Sequence, residues 1–484
     1  MLTKPPGTPA EAPVVGWPLV AAAAVAAVGV LVFHVVAVPL DNPFYGLFRN
    51  YADLAIYRAG GDAVVQRTGV YDGPVLFGMQ FTYTPFAAIV FAPLALITQS
   101  AANVLWWSAT FLALAATVAL SFKSLGYRLD RRVRLLSVLL AVAATALEPV
   151  RTTVWLGQVN VFLMLLVLWD LTRPDGSRLK GVGVGVATGI KLTPGFFLVY
   201  LAVTRQWRSC VTAFGALAAT VAVGFAVIPG DAWSYWTCQF RSTARVGPVD
   251  APSNQSVNGV LGQLLRFYDV ARYSNPDNAG VFEPPTWMWL LFAVPAVVLG
   301  VAAARVAHRR GHELLAIVLT AMTAATVSPF SWGHHWAWFV PLFVLALHFA
   351  LTSAARLRWL VPVAAALPAL TWWHDYPDRP GLHGAEHPIG IGLFMMPIDP
   401  DRWWAHVLAP VYAGCYPLAF AVLAAATLLA RPRGAVDDFP LPAALDGARP
   451  GGNALEGAAP EPIRPPQRAD EGEADPAPTA RVIP

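Results

Sequence analysis

A series of apolar runs of about 15 to 25 residues recurs from Trp17 to residue 430 and constrains the fold more than any other feature. A transmembrane helix needs roughly 20 consecutive apolar residues to cross the hydrocarbon core. Only 13% of the residues are charged, about half the share of an average soluble protein. The pattern therefore predicts an all-α polytopic membrane protein, in which the 18 Trp and 13 Tyr suit interfacial belts.

The runs divide the chain into three predicted parts. Residues 1–16 are rich in Pro and Ala and predict a disordered N-terminal arm. Residues 17–430 form the membrane-embedded domain, and residues 431–484 predict a disordered cytoplasmic tail without apolar periodicity.

The three cysteines stand far apart, which argues against a disulfide framework or a zinc knuckle. The net charge of +4 is spread over short loops, so no nucleic-acid partner is expected.

Basic loops set the predicted orientation. The segment 123–134 holds five basic residues against one acid, so the positive-inside rule places it in the cytoplasm, together with the later basic turns. Loops with few basic residues then face outward. They carry the unusual polar residues, which the charge count did not use: Asp53, Glu148, Arg151, Gln158, Asn160, Asn254, Gln255, His334 and His335. This convergence predicts a site on the outer surface of the membrane.

Asp53 is the candidate general base. A carboxylate beside a bilayer is costly to desolvate, and desolvation raises its pKa toward neutrality, where it makes a stronger base. The alternative is a plain interfacial helix start, with Asp53 at the positive end of the helix dipole. Tyr57 and Arg58 lie about one turn further on and are candidates for substrate binding, Arg58 for a phosphate group. These residues lie in a loop from Asp41 to Thr84, which is expected to hold two short surface helices. The loop also contains Asp41, Asp62 and Asp72, which remain open as alternatives.

Two pairs of polar residues flank an outer turn. Glu148 and Arg151 are interpreted as substrate-binding residues. The alternative is an exposed ion pair at a helix end, which would contribute little to the stability of the fold. Gln158 and Asn160 begin an apolar span, where side-chain amides seek hydrogen-bonding partners such as sugar hydroxyls.

Lys191 is a cation deep within an apolar stretch, residues 181–203, which we read as a hairpin of two short helices broken before Pro194. The side chain could reach the surface as a structural anchor. A fixed charge at a break between half-helices also suits an anion such as phosphate, and this is the interpretation we favour.

Two further outer segments carry candidate residues. Trp332, His334 and His335 suit sugar stacking and hydrogen bonding to phosphate or hydroxyl groups, with interfacial aromatic packing as the alternative. The other segment offers three candidate binding residues, Asn254, Gln255 and, about ten residues on, Arg266. The alternative is that they are ordinary polar residues of a surface loop.

No metal or other cofactor is expected. The H-x-x-E-H pattern at residues 383–387 lies among prolines that disfavour the helix this motif needs. A Gly-rich nucleotide loop and a D-x-D pair are missing from the cytoplasmic segments, so an activated donor on the outer face would be lipid-linked.

An ordered set of motifs spans roughly residues 45–350. The motifs are Asp53-Leu54-x-x-Tyr57-x-x-Gly60-Gly61, Phe81-Thr82-Tyr83-Thr84-Pro85, Gly157-Gln158-Val159-Asn160, Gly189-Ile190-Lys191-Leu192-Thr193-Pro194, Asn254-Gln255-Ser256 and Ser328-Pro329-x-x-Trp332-x-His334-His335-Trp336. This set resembles the actinobacterial polyprenyl-phosphate-sugar-dependent glycosyltransferases of family 87, which have the GT-C fold. With the apolar runs, the resemblance implies about 10–12 transmembrane helices with extracytoplasmic loops. The chain departs from many relatives at Thr84 and at Gly333.

The resemblance implies an inverting mannosyltransferase of the plasma membrane. It would transfer mannose from polyprenyl-phosphate-mannose to a cell-envelope glycolipid of the phosphatidylinositol mannoside or lipomannan type, on the outer face. Asp53 would be the base, His334 or His335 would lie near the donor phosphate or the acceptor, and Lys191 would stabilise the departing phosphate. One alternative is polyprenyl-phosphate-arabinose as donor. Another is a transporter or flippase of lipid-linked sugars, which should show matching helix breaks in two halves, whereas one break is visible.

Overall fold

The computed structural model describes residues 13–430 except 39, 41, 43–44, 77, 243–244, 279 and 375–388. The predicted tail 431–484, most of the predicted arm 1–16 and the H-x-x-E-H segment 383–387 therefore lie outside the described residues, and their assignments stay predictions. Between these segments the chain is mainly helical, as the sequence predicted. The helices are α1 Trp17–Ala37, α2 Ala52–Gln66, α3 Pro85–Ala95, α4 Gln99–Ser124, α5 Arg131–Ala143, α6 Glu148–Leu156, α7 Asn160–Leu171, α8 Val182–Ile190, α9 Phe196–Val203, α10 Trp207–Val227, α11 Pro229–Thr237, α12 Val257–Phe267, α13 Thr286–Arg309, α14 Glu313–Val327, α15 Phe339–Thr352, α16 Leu360–Ala366, α17 Trp403–Ala413 and α18 Cys415–Leu429.

The described strands form three separate antiparallel hairpins. They pair β1 Pro74–Leu76 with β2 Met79–Gln80, β3 Ser274–Asn275 with β4 Val281–Phe282, and β5 Trp372–His374 with β6 Ile389–Ile391. Each hairpin is too short to form a hydrophobic layer of its own, so the core is built by the helices.

The described part has five helical segments long and apolar enough to cross a membrane: α1, α4, α10, α13 and residues 333–352, which include α15. The count reaches seven if the bent pairs α6–α7 and α17–α18 each form one span. The predicted 10–12 spans are reached only if the shorter apolar helices also cross. The multi-span helical class is confirmed, and the exact count stays a prediction.

Side chains that accept backbone hydrogen bonds mark several helix starts. Thr84 accepts from Ala87 N at 3.2 Å ahead of α3, and Asp130 accepts from Val133 N at 2.9 Å ahead of α5. Such caps satisfy donors that the first turn leaves unpaired. They explain why α3 begins at the Thr84-Pro85 step, where proline occupies the first helical position.

The loop after α1 differs from its prediction. We expected two short surface helices before residue 84, and the structure has one helix, α2, followed by the β1–β2 hairpin. Gly69, Gly73 and Gly78 punctuate the second half of that loop, and Gly78 adopts a left-handed φ of +77°. Glycine at this density disfavours a helix because it loses the most backbone entropy there.

A sharp bend of 118° between α6 and α7 packs against the start of α2. Gly157 makes the bend with a left-handed φ of +71°, and a Cβ added there would lie 2.8 Å from Leu54 Cβ. The amide of Tyr51 also donates to the Trp155 carbonyl at 2.8 Å. The start of α2 is thus fixed against the bend that carries Gln158.

The two short helices of the predicted hairpin are confirmed as α8 and α9, with a 3-10 turn at Thr193–Gly195 and Lys191 at the break. Buried Asp170 caps the start of α8, because its carboxylate accepts from the backbone amides of Gly181, at 2.9 and 3.0 Å, and Val184, at 3.0 Å. At the other end, the Thr84 hydroxyl donates to the Gly189 carbonyl. These contacts fix where Lys191 lies relative to α3.

Candidate active site

Asp53 lies half-buried in the first turn of α2 and is held by one side-chain amide. Its Oδ2 accepts a hydrogen bond from Gln158 Nε2 at 2.7 Å. The amide oxygen of Gln158 accepts from the hydroxyls of Tyr57 at 3.0 Å and Tyr83 at 3.4 Å. Because two hydroxyls take the oxygen, the amide nitrogen is directed at Asp53. No donor among the described residues contacts Oδ1, so that oxygen remains available to a substrate.

Burial raises the pKa of Asp53 to about 6, because desolvation disfavours the charged carboxylate. The hydrogen bond from Gln158 and the positive charge of Lys191 both lower it, but by less than burial raises it. The shift has the direction expected from the sequence. A carboxylate with this pKa is ionised at neutral pH and is a stronger base than an exposed aspartate.

Lys191 carries the opposing charge of the site. Its Nζ donates to Asn160 Oδ1 at 2.9 Å and to His335 Nε2 at 2.9 Å, and it lies 5.3 Å from the centre of the Tyr83 ring. An ammonium group has three hydrogens, so one remains for a ligand. Because the ammonium only donates, Nε2 of His335 accepts and the proton of the neutral ring lies on Nδ1.

His334 stands beside His335, with ring centres 4.8 Å apart. The residue is 6% exposed, and among the described residues its buried Nε2 has no hydrogen-bond partner. Its carbonyl accepts from Asn160 Nδ2 at 3.2 Å, so Asn160 contacts both the histidine loop and Lys191. A buried ring nitrogen without a partner is rare in folded proteins and is suited to meet a ligand.

A cavity opens beside Lys191, with about 510 Å³ of empty space when the part open to solvent is included. Asn160, Lys191 and His335 line its polar end, and α7, α9 and α14 line the rest with apolar side chains. The apolar wall includes Leu163, Met164, Val167, Phe197, Ala324 and Trp338.

Glu148 and Arg151 were predicted to bind substrate, with an exposed ion pair as the alternative, and both side chains are in fact buried within the fold. Glu148 accepts from Tyr416 Oη at 2.6 Å and from Thr152 Oγ1 at 2.8 Å. A Cβ on Gly333 would collide with the Glu148 carboxylate, so glycine is required at this departure from the family pattern. Glu148 thus supports the backbone just before His334.

Arg151 packs beside a different segment. It lies 5.1 Å from the Trp373 ring centre and donates to the carbonyls of Gly390 and Tyr45 at 3.4 Å. These contacts join α6 to the β5–β6 hairpin rather than to the cavity.

Asn254 and Gln255 are fully buried and hold the loop before the histidines. Asn254 Oδ1 accepts from Ser331 N at 2.9 Å, and Asn254 pairs with Trp332 in an isolated β-bridge. Gln255 Nε2 donates to the Ala413 carbonyl at 2.9 Å. The structure brings these residues to the histidine loop and not to the cavity, while Trp332 stays half-buried beside Gly247.

The two arginines chosen from the sequence also lie apart from the cavity. Arg58 donates to the carbonyls of Leu94 and, at 2.9 Å, Ile97, at the end of α3. Such a contact stabilises a helix C-terminus. Arg266 is half-exposed and pairs with the buried carboxylate of Asp250.

Tyr83 is the site residue that sequence reasoning did not select. Its hydroxyl joins the Tyr57–Gln158 group and its ring faces Lys191, so it contacts both halves of the site. Its place within the Phe81–Pro85 motif was the available signal. Across the described residues, no group of three or more His, Cys, Asp or Glu side chains is arranged to hold a metal.

The sequence profile of glycosyltransferase family 87 matches residues 81–329. A polyprenol-phosphate-mannose-dependent α-(1-2)-phosphatidylinositol mannoside mannosyltransferase from Mycolicibacterium smegmatis is 33% identical over 352 residues, which are 66% of this chain and 74% of that protein. Its namesake from Mycobacterium tuberculosis is 31% identical over 306 residues, 60% of this chain and 68% of that protein. A corresponding pentamannoside mannosyltransferase from M. smegmatis is 32% identical over 331 residues, 66% and 76% of the two chains. No solved structure matches significantly.

Proposed function

Since this chain belongs to glycosyltransferase family 87, we propose that it transfers mannose from polyprenyl-phosphate-mannose to a hydroxyl of a phosphatidylinositol mannoside-type glycolipid. Family membership makes the chain a glycosyltransferase and argues against the transporter alternative. The named donor of the relatives favours mannose over arabinose. Relatives with the two named acceptors are 33% and 32% identical, so the acceptor is proposed only as a class.

One observation carries the chemical proposal: a carboxylate and an ammonium group are both linked to Tyr83, the first through Gln158 and the second at its ring, and an apolar cavity begins at the ammonium. Asp53 Oδ1 takes the proton of the acceptor hydroxyl, whose oxygen attacks the anomeric carbon of mannose. The bond from that carbon to the phosphate oxygen breaks, and polyprenyl phosphate leaves with the electron pair. Lys191 stabilises the charge that develops on this phosphate.

The single displacement inverts the anomeric carbon. A β-linked donor therefore gives an α-linked product, and a retained configuration would contradict the mechanism. The apolar cavity beside Lys191 suits the first part of the polyprenyl chain, because its walls are side chains of α7, α9 and α14. His334 and His335 lie where they could donate hydrogen bonds to the donor phosphate.

Transfer is proposed to need no metal, since Lys191 supplies the positive charge that the leaving phosphate requires. Membranes washed with EDTA should retain their transfer rate. Loss of transfer that added Mg²⁺ or Mn²⁺ restores would overturn this part of the proposal.

The assay supplies membranes containing the chain with radiolabelled polyprenyl-phosphate-mannose and, in separate reactions, a low phosphatidylinositol mannoside or the pentamannoside. Membranes from cells without the chain are the control. Label should enter the glycolipid fraction with at least one acceptor. Transfer from the arabinose donor alone would overturn the choice of sugar, and transfer from neither donor would overturn the proposal.

The site is proposed to open at the outer face of the plasma membrane, which the positions of the basic loops support. Cys238 is the exposed cysteine, so labelling is done in a Cys238→Ser background. Asp62→Cys, on the exposed side of α2, should react from outside, and Arg131→Cys, at the exposed start of α5, only from inside. Labelling of both from one side would contradict this orientation.

A further inference from the structure

Asp53 and Lys191 carry opposite charges in the same site, yet none of the ion pairs among the described residues joins them. Opposite charges attract strongly where water is displaced, so their separation needs a physical cause. Each group is held by other partners: Gln158 donates to Asp53, and Lys191 donates to Asn160 and His335.

Tyr83 contacts Lys191 and the amide that holds Asp53. Its hydroxyl is 2.8 Å from Tyr57 Oη and donates to Gln158 Oε1 at 3.4 Å, on the side of Asp53. Its ring lies 5.3 Å from Lys191 Nζ, a distance at which an ammonium is attracted to an aromatic face.

The ring of Tyr83 is also held from the side. The Tyr57 ring packs edge-on at 5.0 Å and the Phe91 ring edge-on at 6.4 Å. Tyr83 is 8% exposed, so the ring has little room to turn. The ring is therefore held rigidly beside the Lys191 ammonium.

We infer that Tyr83 is a positioning residue that keeps the Asp53 carboxylate from pairing with the Lys191 ammonium. This inference rests on the proposed function, in which Asp53 takes the acceptor proton and Lys191 meets the donor phosphate. A direct ion pair would weaken Asp53 as a base and occupy the hydrogen that Lys191 has free for the phosphate. The ring of Tyr83 thus keeps the Asp53 carboxylate available to the acceptor and the Lys191 ammonium available to the donor phosphate.

The pH dependence of transfer distinguishes this role from simple packing. The groups that face Asp53 are Tyr57 on its own helix, Gln158 at the α6–α7 bend, Tyr83 before α3 and Lys191 in the hairpin. Removing the Tyr83 ring lets Lys191 approach, which lowers the pKa of Asp53. Removing the Gln158 amide withdraws a hydrogen bond from the carboxylate, which raises it.

Transfer is therefore measured against pH for wild type, Tyr83→Leu, Tyr83→Phe and Gln158→Leu. Tyr83→Leu should lower kcat. It should also move the acid limb of the pH profile of kcat/KM, the pH range in which kcat/KM falls on acidification, down by about one pH unit or more. Tyr83→Phe keeps the ring, so its limb should stay near that of wild type. Gln158→Leu should move the limb upward. Opposite shifts from two neighbouring residues are not expected from a general loss of packing.

Tyr127→Leu is the matched control, because Tyr127 is equally buried but lies between α4 and α5, against His348. Its acid limb should not move. If Tyr83→Leu does not fold, Tyr83→Met removes the same ring with a longer side chain and should give the same downward shift. An acid limb that stays in place or rises while kcat falls would overturn the inference. No transfer by wild type would instead overturn the proposed function and this inference with it.

Discussion

Asp53 combines two properties that a general base needs. Its carboxylate is withdrawn from water, which raises its pKa to about 6, and one of its oxygens is unused by the described residues. Asp62, nine residues on in the same chain segment, is exposed and lacks such surroundings. The difference between the two carboxylates is environment alone, since both lie on α2.

The pKa of Asp53 predicts the acid limb of the reaction. A protonated carboxyl cannot take the acceptor proton, so kcat/KM should fall as the pH drops through about 6. Because burial raises this pKa, the limb should stand well above the ordinary aspartate value. Transfer rates at subsaturating acceptor between about pH 4 and pH 8 measure it, a window of about two units on either side of the limb. A limb near the ordinary value would show that Asp53 is not the base.

Lys191 is the second residue with a direct expected effect. Lys191→Ala removes the charge that faces the leaving phosphate, so kcat should fall by roughly 10²–10³-fold, as for loss of one group that stabilises developing negative charge. Single-turnover rates with bound donor separate this effect from donor affinity. Lys123→Ala, at the exposed C-terminal end of α4, is the control and should transfer normally. Equal rates for both variants would contradict the role of Lys191.

The sequence made Asp53 and Lys191 predictable because a charge beside or within apolar surroundings is costly and stands out. Tyr83 did not stand out, because an aromatic residue at a membrane surface is ordinary. Its role depends on Gln158 and Lys191, which lie 75 and more residues away in the chain. Only the folded arrangement shows that its ring faces Lys191 and that its hydroxyl contacts Gln158.

The elements that carry the site are short and broken. The break at Lys191 was predictable from Pro194 and a cation within an apolar run, and the structure confirms it. The 118° bend at Gly157 was not predicted, because glycine at the end of an apolar stretch also fits an ordinary turn. The prediction of two helices between α1 and residue 84 was wrong, because glycines end the helical pattern after α2.

Gly157 gives a prediction for these elements. Gly157→Ala places a Cβ 2.8 Å from Leu54 Cβ on a residue with φ of +71°. It should lower stability by about 1–2 kcal/mol and displace Gln158 from Asp53, so transfer should fall. Thermal unfolding in detergent and transfer rate are both measured.

Gly215→Ala is the control for Gly157→Ala. It adds a Cβ on α10 where no atom lies within 4 Å, and should be neutral or stabilising. If Gly157→Ala unfolds at the wild-type temperature and transfers normally, the bend does not position Gln158 as described.

At the scale of the whole molecule, charge counting grouped the unusual polar residues on one face but did not separate binding from support. Asp53, Gln158, Asn160, Lys191 and the histidines meet in one site. Other predicted residues, by contrast, hold the surrounding structure: Glu148 and Asn254 support the histidine loop, while Arg58 ends α3. Which polar residues face the cavity depends on helix rotation and packing, and a count of charges carries no information on either.

The measurement that tests the central claim most directly is mannosyl transfer by Asp53→Asn, with donor binding measured on the same preparation. Asp62→Asn makes the same chemical change at an exposed position of α2 and is the control. Asp53→Asn should still bind polyprenyl-phosphate-mannose but lose transfer by roughly 10²–10⁴-fold, as expected for loss of a general base. The control should transfer at the wild-type rate. Normal transfer by Asp53→Asn would contradict the claim and move the search for the base elsewhere in the chain.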